Sequence, residues 1–504
     1  MNHSIPQFVH LVRIAPKTFL ISFLTSRLHA AILIIDNTFT TQTMFIMIAN
    51  NKIGIWGFGI VGKSALKYLL RHTAHIQVLT STPLSVQDQQ LLERHGVPLL
   101  YQNTDTESFL HFNDYIVASP GIDLRPYAAY HHKWLTELDL LRNNFAGTLI
   151  GITGSVGKTT ITSILSQVTK HHATARMYTG GNIGAGMLDM LTDNTSYDAA
   201  LLELSSFQLE HTMSAAPDLA IWTTFCPNHL DRHGSLDAYF DAKFQLLAHQ
   251  NSHQQALVPA SIVPYIAKRS CNATLNVFVD TSDEHVLTHA INVAKRLFFL
   301  RGTMIMMREH GRETVLLDSA QLPPITFVQN WLIIVSALHI MHTQLSLPDY
   351  MATLVNTAHT LVMPEHRLEL VANFNGITIY NDSKATTPAS TLAAVQALSD
   401  KPIILLLGGL SKGIDRQPLI MNLRQRVQKI ICFGKEAQQL KHWCDQADIP
   451  AQDYTTLDDA VPAALHDLQS PTHVLFSPAG SSFDLFKDYQ ERGTYFKRLI
   501  TGTY

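Results

Sequence analysis

The chain has 504 residues, with 37 Lys and Arg against 40 Asp and Glu, which gives a formal net charge of -3. At about 150 residues per domain, this length predicts about three domains. Hydrophobic residues make up 46% of the chain and charged residues 15%, a balance that excludes a disordered protein. The near-neutral charge argues against a nucleic-acid partner held by bulk positive charge. The four cysteines form no CxxC pair, which favours the reducing cytoplasm.

The first fifty residues do not have the pattern of the rest. Their longest uncharged run, from Thr18 to Ser26, is too short for a membrane span of about 20 residues. A charged start precedes this run, as in a signal peptide, but no small-residue cleavage site clearly follows it. We interpret residues 1–46 as an extension of unknown role, with a targeting segment as the weaker alternative. Nothing later in the sequence predicts a membrane span, so we expect no membrane partner.

From residue 51 onward, short apolar runs alternate with helical patterns. This alternation predicts an α/β fold in which helices cover both faces of parallel sheets. We interpret three blocks as a Rossmann-like domain at 47–136, a central P-loop ATPase-type domain with a parallel sheet at 137–362, and a Rossmann-like C-terminal domain at 363–504. The predicted strands are 53–56, 76–80, 97–101, 115–119, 148–153, 199–206, 219–224, 376–382, 402–409, 429–434 and 473–478.

A glycine-rich loop follows the first predicted strand. Its Gly57, Gly59 and Gly62 fit the GxGxxG pattern, which brings backbone N–H groups close to a diphosphate at a helix N-terminus. A nicotinamide-binding domain should carry an acid about 20 residues further on, to hold the ribose hydroxyls. Thr80 and Ser81 stand there instead, so a dehydrogenase is disfavoured. The loop either binds another diphosphate ligand or only packs its strand against the helix.

A second glycine-rich loop, GITGSVGKTT at 151–160, lies between a predicted strand and a predicted helix. Gly154, Gly157, Lys158 and Thr159 match the core of a phosphate loop, although Ile152 stands where the full motif has its first glycine. In such a loop the backbone N–H groups surround the phosphates, the lysine reaches the terminal phosphates and the hydroxyl binds Mg²⁺. The pattern therefore predicts a nucleotide site.

Residues suited to a metal follow the phosphate loop. Glu203 stands in the predicted strand at 199–206, from which its carboxylate can reach a Mg²⁺ ion near Thr159. His229 and Lys243 lie further on, in the segment NHLDRHGSLDAYFDAKF. A lone histidine means little in a chain that has 26, but the combination downstream of a phosphate loop indicates a second part of the same site.

Together these residues resemble the Mur ligases, the ATP-dependent enzymes that add amino acids during peptidoglycan synthesis. The resemblance covers about residues 51–504 and is nearest to the D-glutamate-adding branch. It is carried by eight motifs in the family's order: ITGSVGKTT (152–160), GGNIG (180–184), ELSSFQLE (203–210), NHLDRHG (228–234), PEHRLE (364–369), NDSKATTPAST (381–391), LLLGGLSKGID (405–415) and SPAGSSFDLFKDYQERG (477–493). It implies ATP and two Mg²⁺ ions as cofactors, and UDP-N-acetylmuramoyl-L-alanine and D-glutamate as substrates of a cytoplasmic monomer.

The resemblance also implies roles for individual residues. The nucleotide contacts would be Gly154, Ser155, Val156, Gly157, Lys158, Thr159, Thr160, Asn330, Arg367, Asp382 and Lys384. The substrate contacts would be Gly57, Gly59, Gly62, Thr80, Ser81, Ser205, Gln208, Thr386, Lys412, Ser482 and Phe483. The metal ligands would be Thr159, Glu203, His229 and Lys243, the last as a carbamate formed with CO₂. The catalytic set would be Lys158, Lys243, His229 and Asn182.

Three positions depart from the family pattern. Val156 replaces a polar residue of the phosphate loop, and Thr80 and Ser81 stand where an acid and a threonine contact the uracil. Ile333 replaces the second of two asparagines that face the adenine. None of these changes removes a metal ligand or the catalytic lysine, so we expect an active enzyme.

Several alternatives share the nucleotide site. They are a sister ligase that adds L-alanine or a diamino acid, a folylpolyglutamate synthase, and a binding protein that kept the fold and lost catalysis. The motifs SSFQLE and NDSKATTPAST favour the D-glutamate enzyme among these alternatives. Lys412, Thr386 and Ser482 also suit a side-chain carboxylate on the incoming amino acid.

Overall fold

Three sheets organise the chain in the computed structural model, which describes residues 48–502 apart from 171, 173, 215, 282, 324 and 467. Residues 1–46, interpreted from the sequence as an extension, lie outside the described residues. None of the described helices combines the length and the apolar character that crossing a membrane requires. The α/β class predicted from the alternation of strands and helices is confirmed.

The first sheet is parallel and comes from the front of the described chain. Its strands are β1 (Ile53–Trp56), β2 (Ile76–Thr80), β3 (Leu99–Tyr101), β4 (Tyr115–Ala118) and β5 (Trp134–Leu135), in the order β3-β2-β1-β4-β5. Its helices are α1 (Ile60–Leu69), α2 (Val86–Arg94) and α3 (Gln102–Phe112), with a 3-10 helix at Arg125–Lys133. The four predicted strands are confirmed. The two-residue β5 is too short to give a pattern in the sequence.

The second sheet has nine strands. They are β6 (Thr148–Thr153), β7 (Met177–Gly181), β8 (Ala199–Glu203), β9 (Leu219–Trp222), β10 (Gln255–Pro259), β11 (Thr274–Val279), β12 (Arg296–Arg301), β13 (Met304–Glu309) and β14 (Arg312–Asp318). Their order is β14-β13-β12-β11-β10-β9-β6-β8-β7. The helices are α4 (Glu137–Asn144), α5 (Lys158–Lys170), α6 (Ser206–Leu209), α7 (Leu230–His233), α8 (Leu236–Ala248), α9 (Val263–Ile266), α10 (Glu284–Ile291), α11 (Val328–Leu345) and α12 (Tyr350–Thr357). Short 3-10 helices cover Met187–Leu191, Ala260–Ile262, Ser319–Gln321 and Ala358–Thr360.

The prediction of a parallel central sheet is wrong at one edge of this second sheet. β12 pairs antiparallel with β13, and β13 pairs antiparallel with β14. Two residues join each pair, and a connection that short can only reverse the chain direction. Gly302, His310 and Gly311 have positive φ of 60°, 49° and 75°, as turns of this kind require. The predicted strands at 148–153, 199–206 and 219–224 are confirmed as β6, β8 and β9.

The third sheet is parallel except at one edge. Its strands are β15 (Glu369–Phe374), β16 (Ile377–Asn381), β17 (Ile403–Gly408), β18 (Lys429–Phe433), β19 (Ala451–Tyr454) and β20 (Thr472–Phe476), in the order β15-β16-β20-β17-β18-β19. β15 is the antiparallel edge. The helices are α13 (Pro388–Ala397), α14 (Gln417–Leu423), α15 (Ala437–Gln446), α16 (Leu457–Leu465) and α17 (Tyr489–Thr501).

Buried strands determine where the polar residues lie. β6 (TLIGIT) is buried except at its first residue, and β17 (IILLLG) is buried throughout, as expected for strands covered on both faces. Polar side chains are therefore displaced to the loops that follow the strands. β9, β6 and β8 are neighbours in the second sheet, and β16, β20 and β17 are neighbours in the third. The loops after these strands carry most of the predicted site residues, and ligands of α/β proteins bind at this edge.

Candidate active site

The phosphate loop lies between β6 and α5, as the sequence predicts. Gly154 and Gly157 have φ of +148° and +90°, which favours glycine. A side chain on Gly154 would place its Cβ 2.0 Å from Thr223 Oγ1. The Lys158 ammonium donates to the carbonyl oxygen of Gly154 at 2.7 Å, and the backbone N–H of Val156 donates to Thr224 Oγ1 at 2.8 Å. The loop is therefore held by its neighbours.

Glu203 is hydrogen-bonded to two other predicted site residues. It ends β8, and its side chain is 1% exposed. Its Oε1 accepts from Thr159 Oγ1 at 3.1 Å and from Asn182 Nδ2 at 3.0 Å. Its Oε2 is buried and has no hydrogen-bond partner. A buried carboxylate oxygen beside a threonine hydroxyl is a donor set that suits a hard cation such as Mg²⁺.

Lys243 is buried under the same loop. It lies on α8 with 1% of its surface exposed, and Nζ donates to Gly154 O at 2.9 Å and Thr153 Oγ1 at 3.3 Å. Burial lowers the pKa of this lysine well below its usual value, and the nearby charge of Lys158 lowers it further. An amine in this environment is disfavoured as a cation, so it is available as a nucleophile.

His229 approaches the site from α7, at whose N-terminal end it adopts a left-handed φ of 54°. Burial lowers its pKa to about 2, and the positive charges of Lys412, Lys158 and Lys243 act in the same direction. The imidazole is therefore neutral at pH 7, which is the form that binds metals. Within residues 48–502 as described, no three His, Cys, Asp or Glu side chains cluster as a metal site.

A cavity of about 380 Å³ opens beside the phosphate loop. Five predicted nucleotide contacts line it, namely Val156, Thr160, Asn330, Arg367 and Asp382. Phe327 and Met363 add apolar walls that the sequence did not single out. Phe327 directly precedes α11, and Met363 directly precedes the PEHRLE motif. Their positions beside these two segments could have identified them in the sequence. Apolar walls with a few polar groups are typical of a nucleotide-base pocket.

Two charged side chains of this cavity come from the third sheet's region. Asp382 Oδ2 accepts from Ser477 Oγ at 2.8 Å, and burial raises the pKa of Asp382 to about 7. Arg367 has its Nε buried without a partner. Burial also lowers the pKa of Arg367 below its usual range, although the negative charges of Glu203 and Asp382 raise it in part. The cavity therefore has a cation close to the acid of the predicted metal site.

The predicted D-glutamate contacts lie on three loops after neighbouring strands. Thr386 follows β16, Lys412 follows β17, and Ser482 and Phe483 follow β20. Ser482 is buried, whereas Phe483 is 70% exposed. Burial lowers the pKa of Lys412 to about 8, helped by the positive charge of Arg492. Lys384, on the first of these loops, has a pKa lowered to about 7 by burial and by Arg367.

The first glycine loop has a packing role. Gly57 has φ of +91°, and a Cβ on Gly62 would lie 2.1 Å from Gly57 O. These two glycines therefore let β1 and α1 pack closely, whereas Gly59 faces open space. Thr80 is buried and donates from Oγ1 to Thr82 O at 3.0 Å, and Ser81 beside it is exposed.

A second cavity of about 450 Å³ lies between the first sheet's loops and the second sheet's loops. Gln208 is the one predicted substrate contact among its lining residues. Ser205 and Gln208 also cap α6, because Ser205 Oγ accepts from Gln208 N and Gln208 Oε1 accepts from Ser205 N. Both residues thus carry a local structural role.

Other lining residues of this cavity were missed by the sequence reasoning. Ser119, Glu137 and Arg232 all line it. Burial raises the pKa of Glu137 to about 8, so its carboxyl group is neutral at pH 7 and does not repel an anion. Ser119 follows β4, and its position after a parallel strand could have marked it.

Comparison with known proteins defines the class. The Mur ligase middle domain matches residues 152–338, and the Mur ligase glutamate ligase domain matches residues 366–480. The chain is similar to the UDP-N-acetylmuramoylalanine--D-glutamate ligase of Geotalea uraniireducens, with 31% identity over 470 residues covering 90% of this chain and 97% of the relative. The same enzyme of Leuconostoc citreum is 30% identical over 467 residues, covering 89% and 96%.

Structure comparison gives the fold. The MurF ligase of Thermotoga maritima in complex with ADP aligns with a TM-score of 0.54 at 15% identity, over 90% of this chain and 95% of the other. From these sequence and structure matches, the chain belongs to the Mur ligase family.

Proposed function

We propose that the chain joins D-glutamate to UDP-N-acetylmuramoyl-L-alanine with ATP, releasing ADP and phosphate, in peptidoglycan precursor synthesis. Ligase activity is supported by the two Mur ligase domains, and D-glutamate by the relatives of that name. The observation that carries the proposal is geometric. Lys384 and Lys412 lie close enough to Lys158 of the phosphate loop to interact with its charge. Thr159 of that loop donates to the buried acid Glu203, and the same loop lines the 380 Å³ cavity.

The residues around Glu203 fit Mg²⁺. The unpartnered Glu203 Oε2 and the Thr159 hydroxyl would hold one ion, and His229 with a carbamate on Lys243 would hold another. Bound Mg²⁺ neutralises phosphate charge and orients the transferred group. For the carbamate, the neutral Lys243 amine attacks CO₂, an N–C bond forms and one proton is released. The burial of Lys243 supports this reaction, since it disfavours the ammonium form.

The chain's own residues serve two transfer steps. A carboxylate oxygen of the first substrate attacks the γ-phosphorus of ATP, which gives an acyl phosphate and ADP. The amine of D-glutamate then attacks the acyl carbon, loses a proton and displaces phosphate, which leaves the amide. Lys158, Arg367 and Lys384 supply positive charge where anions meet. Lys412, Thr386 and Ser482 hold the carboxylates of D-glutamate.

The remaining assignments complete the proposal. We propose domains at 47–136, 137–362 and 363–504 that hold the uridine diphosphate part, ATP and the amino acid respectively. In this assignment Gly57, Gly59, Gly62, Thr80 and Ser81 contact the uridine diphosphate part, and Phe483 contacts D-glutamate. A cytoplasmic monomer stays a prediction.

One experiment tests the substrate. Purified full-length protein is mixed with ATP, Mg²⁺ and UDP-N-acetylmuramoyl-L-alanine, and phosphate release is measured with D-glutamate, L-alanine, L-lysine and meso-diaminopimelate in turn. We expect release with D-glutamate alone. Release with another amino acid but not with D-glutamate would show that a sister ligase is the correct assignment.

A further inference from the structure

Two buried arginines cross the loops that carry the predicted D-glutamate contacts. Arg416 and Arg492 are both 0% exposed. Arg492, on α17, donates from Nη2 to Ser383 O at 2.7 Å and from Nη1 to Gly480 O at 3.0 Å, so it joins the loop after β16 to the loop after β20. Arg416 donates from Nη1 to Gly408 O at 2.9 Å and from Nη2 to Gly409 O at 3.1 Å, at the start of the loop after β17.

Glu436 connects Arg416 to the residue beside Lys412. Its Oε2 lies 2.5 Å from Arg416 Nη2, and its Oε1 accepts from the backbone N–H of Ser411 at 3.1 Å. Arg416 and Glu436 therefore bind the loop from both sides of its turn, at residues 408–409 and at residue 411. The loop also pairs with its neighbour, because Leu410 and Ser481 exchange two backbone hydrogen bonds at 3.0 and 2.9 Å.

The loop after β17 and the loop after β20 pack closely against each other beside Arg416. A Cβ on Gly409 would lie 2.2 Å from Ser481 O, and a Cβ on Gly480 would lie 2.4 Å from Gly408 O. The same Cβ on Gly480 would lie 2.9 Å from Arg416 Nη1. The guanidinium thus fills a space that no side chain of the two loops occupies.

Lys412 itself needs external support. Its φ of 54° is left-handed, which is unfavourable for a residue with a side chain, and the surroundings must hold it there. The next residue, Gly413, packs against the backbone of Asp231, so the loop reaches the region of His229. Movement of this loop would carry the Lys412 ammonium away from the reacting centre.

We propose that Arg416 and Glu436 are positioning residues that hold the 408–412 loop so that Lys412 faces the carboxylate of the incoming amino acid. The inference rests on the proposed function. We therefore expect that replacing either residue weakens the binding of the amino acid and leaves the binding of ATP unchanged. Neither side chain contacts the substrate in this assignment, since each acts through the loop.

The test compares Glu436→Ala with Glu436→Gln in the full chain. Because alanine removes the acceptor for Ser411 N–H and the partner of Arg416, we expect the KM for D-glutamate to rise about tenfold. The KM for ATP should stay within about twofold. Glutamine keeps an oxygen for one of the two hydrogen bonds, so its KM should fall between those of alanine and wild type. Arg416→Lys, which keeps the charge and loses the two-nitrogen contact, should resemble Glu436→Gln.

Arg424→Ala is the matched control. Arg424 and Asp448 form a 2.9 Å ion pair in the same region of the chain, but both side chains are exposed, at 52% and 77%. This variant should leave both KM values unchanged. An unchanged KM for D-glutamate in folded Glu436→Ala, or an equal rise in the KM for ATP, would overturn the inference. If Glu436→Ala does not fold, Glu436→Gln and Arg416→Lys decide by the same criterion.

Different results would contradict the proposed function and the positioning role. Wild-type protein that releases no phosphate with D-glutamate contradicts the proposed function, and the KM comparison is then made with the amino acid that does react. Wild-type protein that is active with D-glutamate, together with variants whose KM is unchanged, contradicts only the positioning role.

Discussion

At the scale of single residues, Glu203 is the carboxylate at which three motifs of the chain meet. Thr159, Asn182 and Glu203 were singled out from separate motifs, and the structure joins them through Glu203 Oε1. Parallel strand order explains this arrangement, since β7, β8 and β6 are neighbours whose carboxyl ends meet. Ser205 and Gln208 show the limit, because side chains predicted to contact substrate also cap a helix. A motif does not reveal which hydrogen bonds its residues make locally.

Replacement of Lys243 tests the carbamate. Lys243→Ala removes the predicted oxygen ligand, so we expect kcat to fall by about 100-fold or more while nucleotide binding without metal persists. Lys170→Ala, at an exposed position of α5, should keep wild-type kcat. Phosphate release and fluorescent ADP titration measure the two quantities. In wild-type protein, ¹³C-bicarbonate should give a carbamate NMR signal that Lys243→Ala lacks, and a fully active variant would contradict the role.

The pKa of Lys412 predicts a pH dependence. A lysine is a cation below its pKa, and burial with the charge of Arg492 lowers this pKa to about 8. Above pH 8 the ammonium loses its proton and no longer attracts a carboxylate. We therefore expect kcat/KM for D-glutamate, which reports the free enzyme, to fall about tenfold per pH unit above that value. Lys412→Arg stays charged, so its alkaline decline should move upward. An identical decline in both proteins would show that another group titrates.

At the scale of elements, the sequence predicted eleven of the twenty strands that the structure describes, and it missed buried strands such as β10 as well as edge strands. All eleven predicted strands are present, and all of them except the edge strand β3 are largely buried apolar runs. β13 and β14 form a hairpin whose outer strand is largely exposed, so its residues alternate and mix with charges. β15 is likewise a half-exposed edge. Edge strands need no continuous apolar run, which is why the sequence did not reveal them.

Helix α11 carries a cavity-lining residue and a core residue three positions apart. Asn330 lines the 380 Å³ cavity and its Nδ2 donates to Thr326 Oγ1 at 2.7 Å. Ile333 is 2% exposed and packs in the core. The family resemblance places a second adenine-facing asparagine at this position, so Ile333 is a departure from the pattern. Its burial in the core gives it a structural role in this chain.

The two positions on α11 should respond differently to alanine. We expect Asn330→Ala to raise the KM for ATP about tenfold with little change in melting temperature, because one polar contact is lost at the cavity. Ile333→Ala should lower the free energy of unfolding by about 2–5 kcal/mol, as large-to-small changes in a core do. Enzyme assays and chemical denaturation measure the two effects. A normal stability with a raised KM in Ile333→Ala would place that residue at the nucleotide.

At the scale of the whole molecule, the first and second sheets' regions meet through α1. Lys67 Nζ lies 2.9 Å from Asp189 Oδ1, and Arg71 donates to Leu191 O at 3.2 Å and to Thr192 O at 2.5 Å. The contact adjoins the 450 Å³ cavity, whose lining includes Val61 of α1 and Met187 of the 3-10 helix. No sequence pattern predicted this contact, since its partners are more than a hundred residues apart. We expect this contact to set the width of the cavity, whose lining includes the predicted substrate contact Gln208.

Gly186 tests whether that contact controls the cavity. Its φ of -66° suits any residue, so a substitution acts through contact alone. A Cβ there would lie 2.3 Å from Ser64 Cβ on α1. Gly186→Ala should therefore push α1 outward and raise the KM for UDP-N-acetylmuramoyl-L-alanine about tenfold, since overpacking costs about 1–3 kcal/mol. The KM for ATP should not change, because the phosphate loop does not adjoin Gly186.

A second substitution separates crowding from a general loss of stability. Ser64→Gly removes the Cβ that Gly186→Ala would strike, so the double variant should regain most of the wild-type KM. It should still be less stable, because glycine inside α1 costs about 1 kcal/mol. Steady-state kinetics with each substrate varied in turn, together with thermal melting, measure both effects. A double variant with a KM as high as that of Gly186→Ala would mean that the contact between α1 and Gly186 does not set the cavity's width.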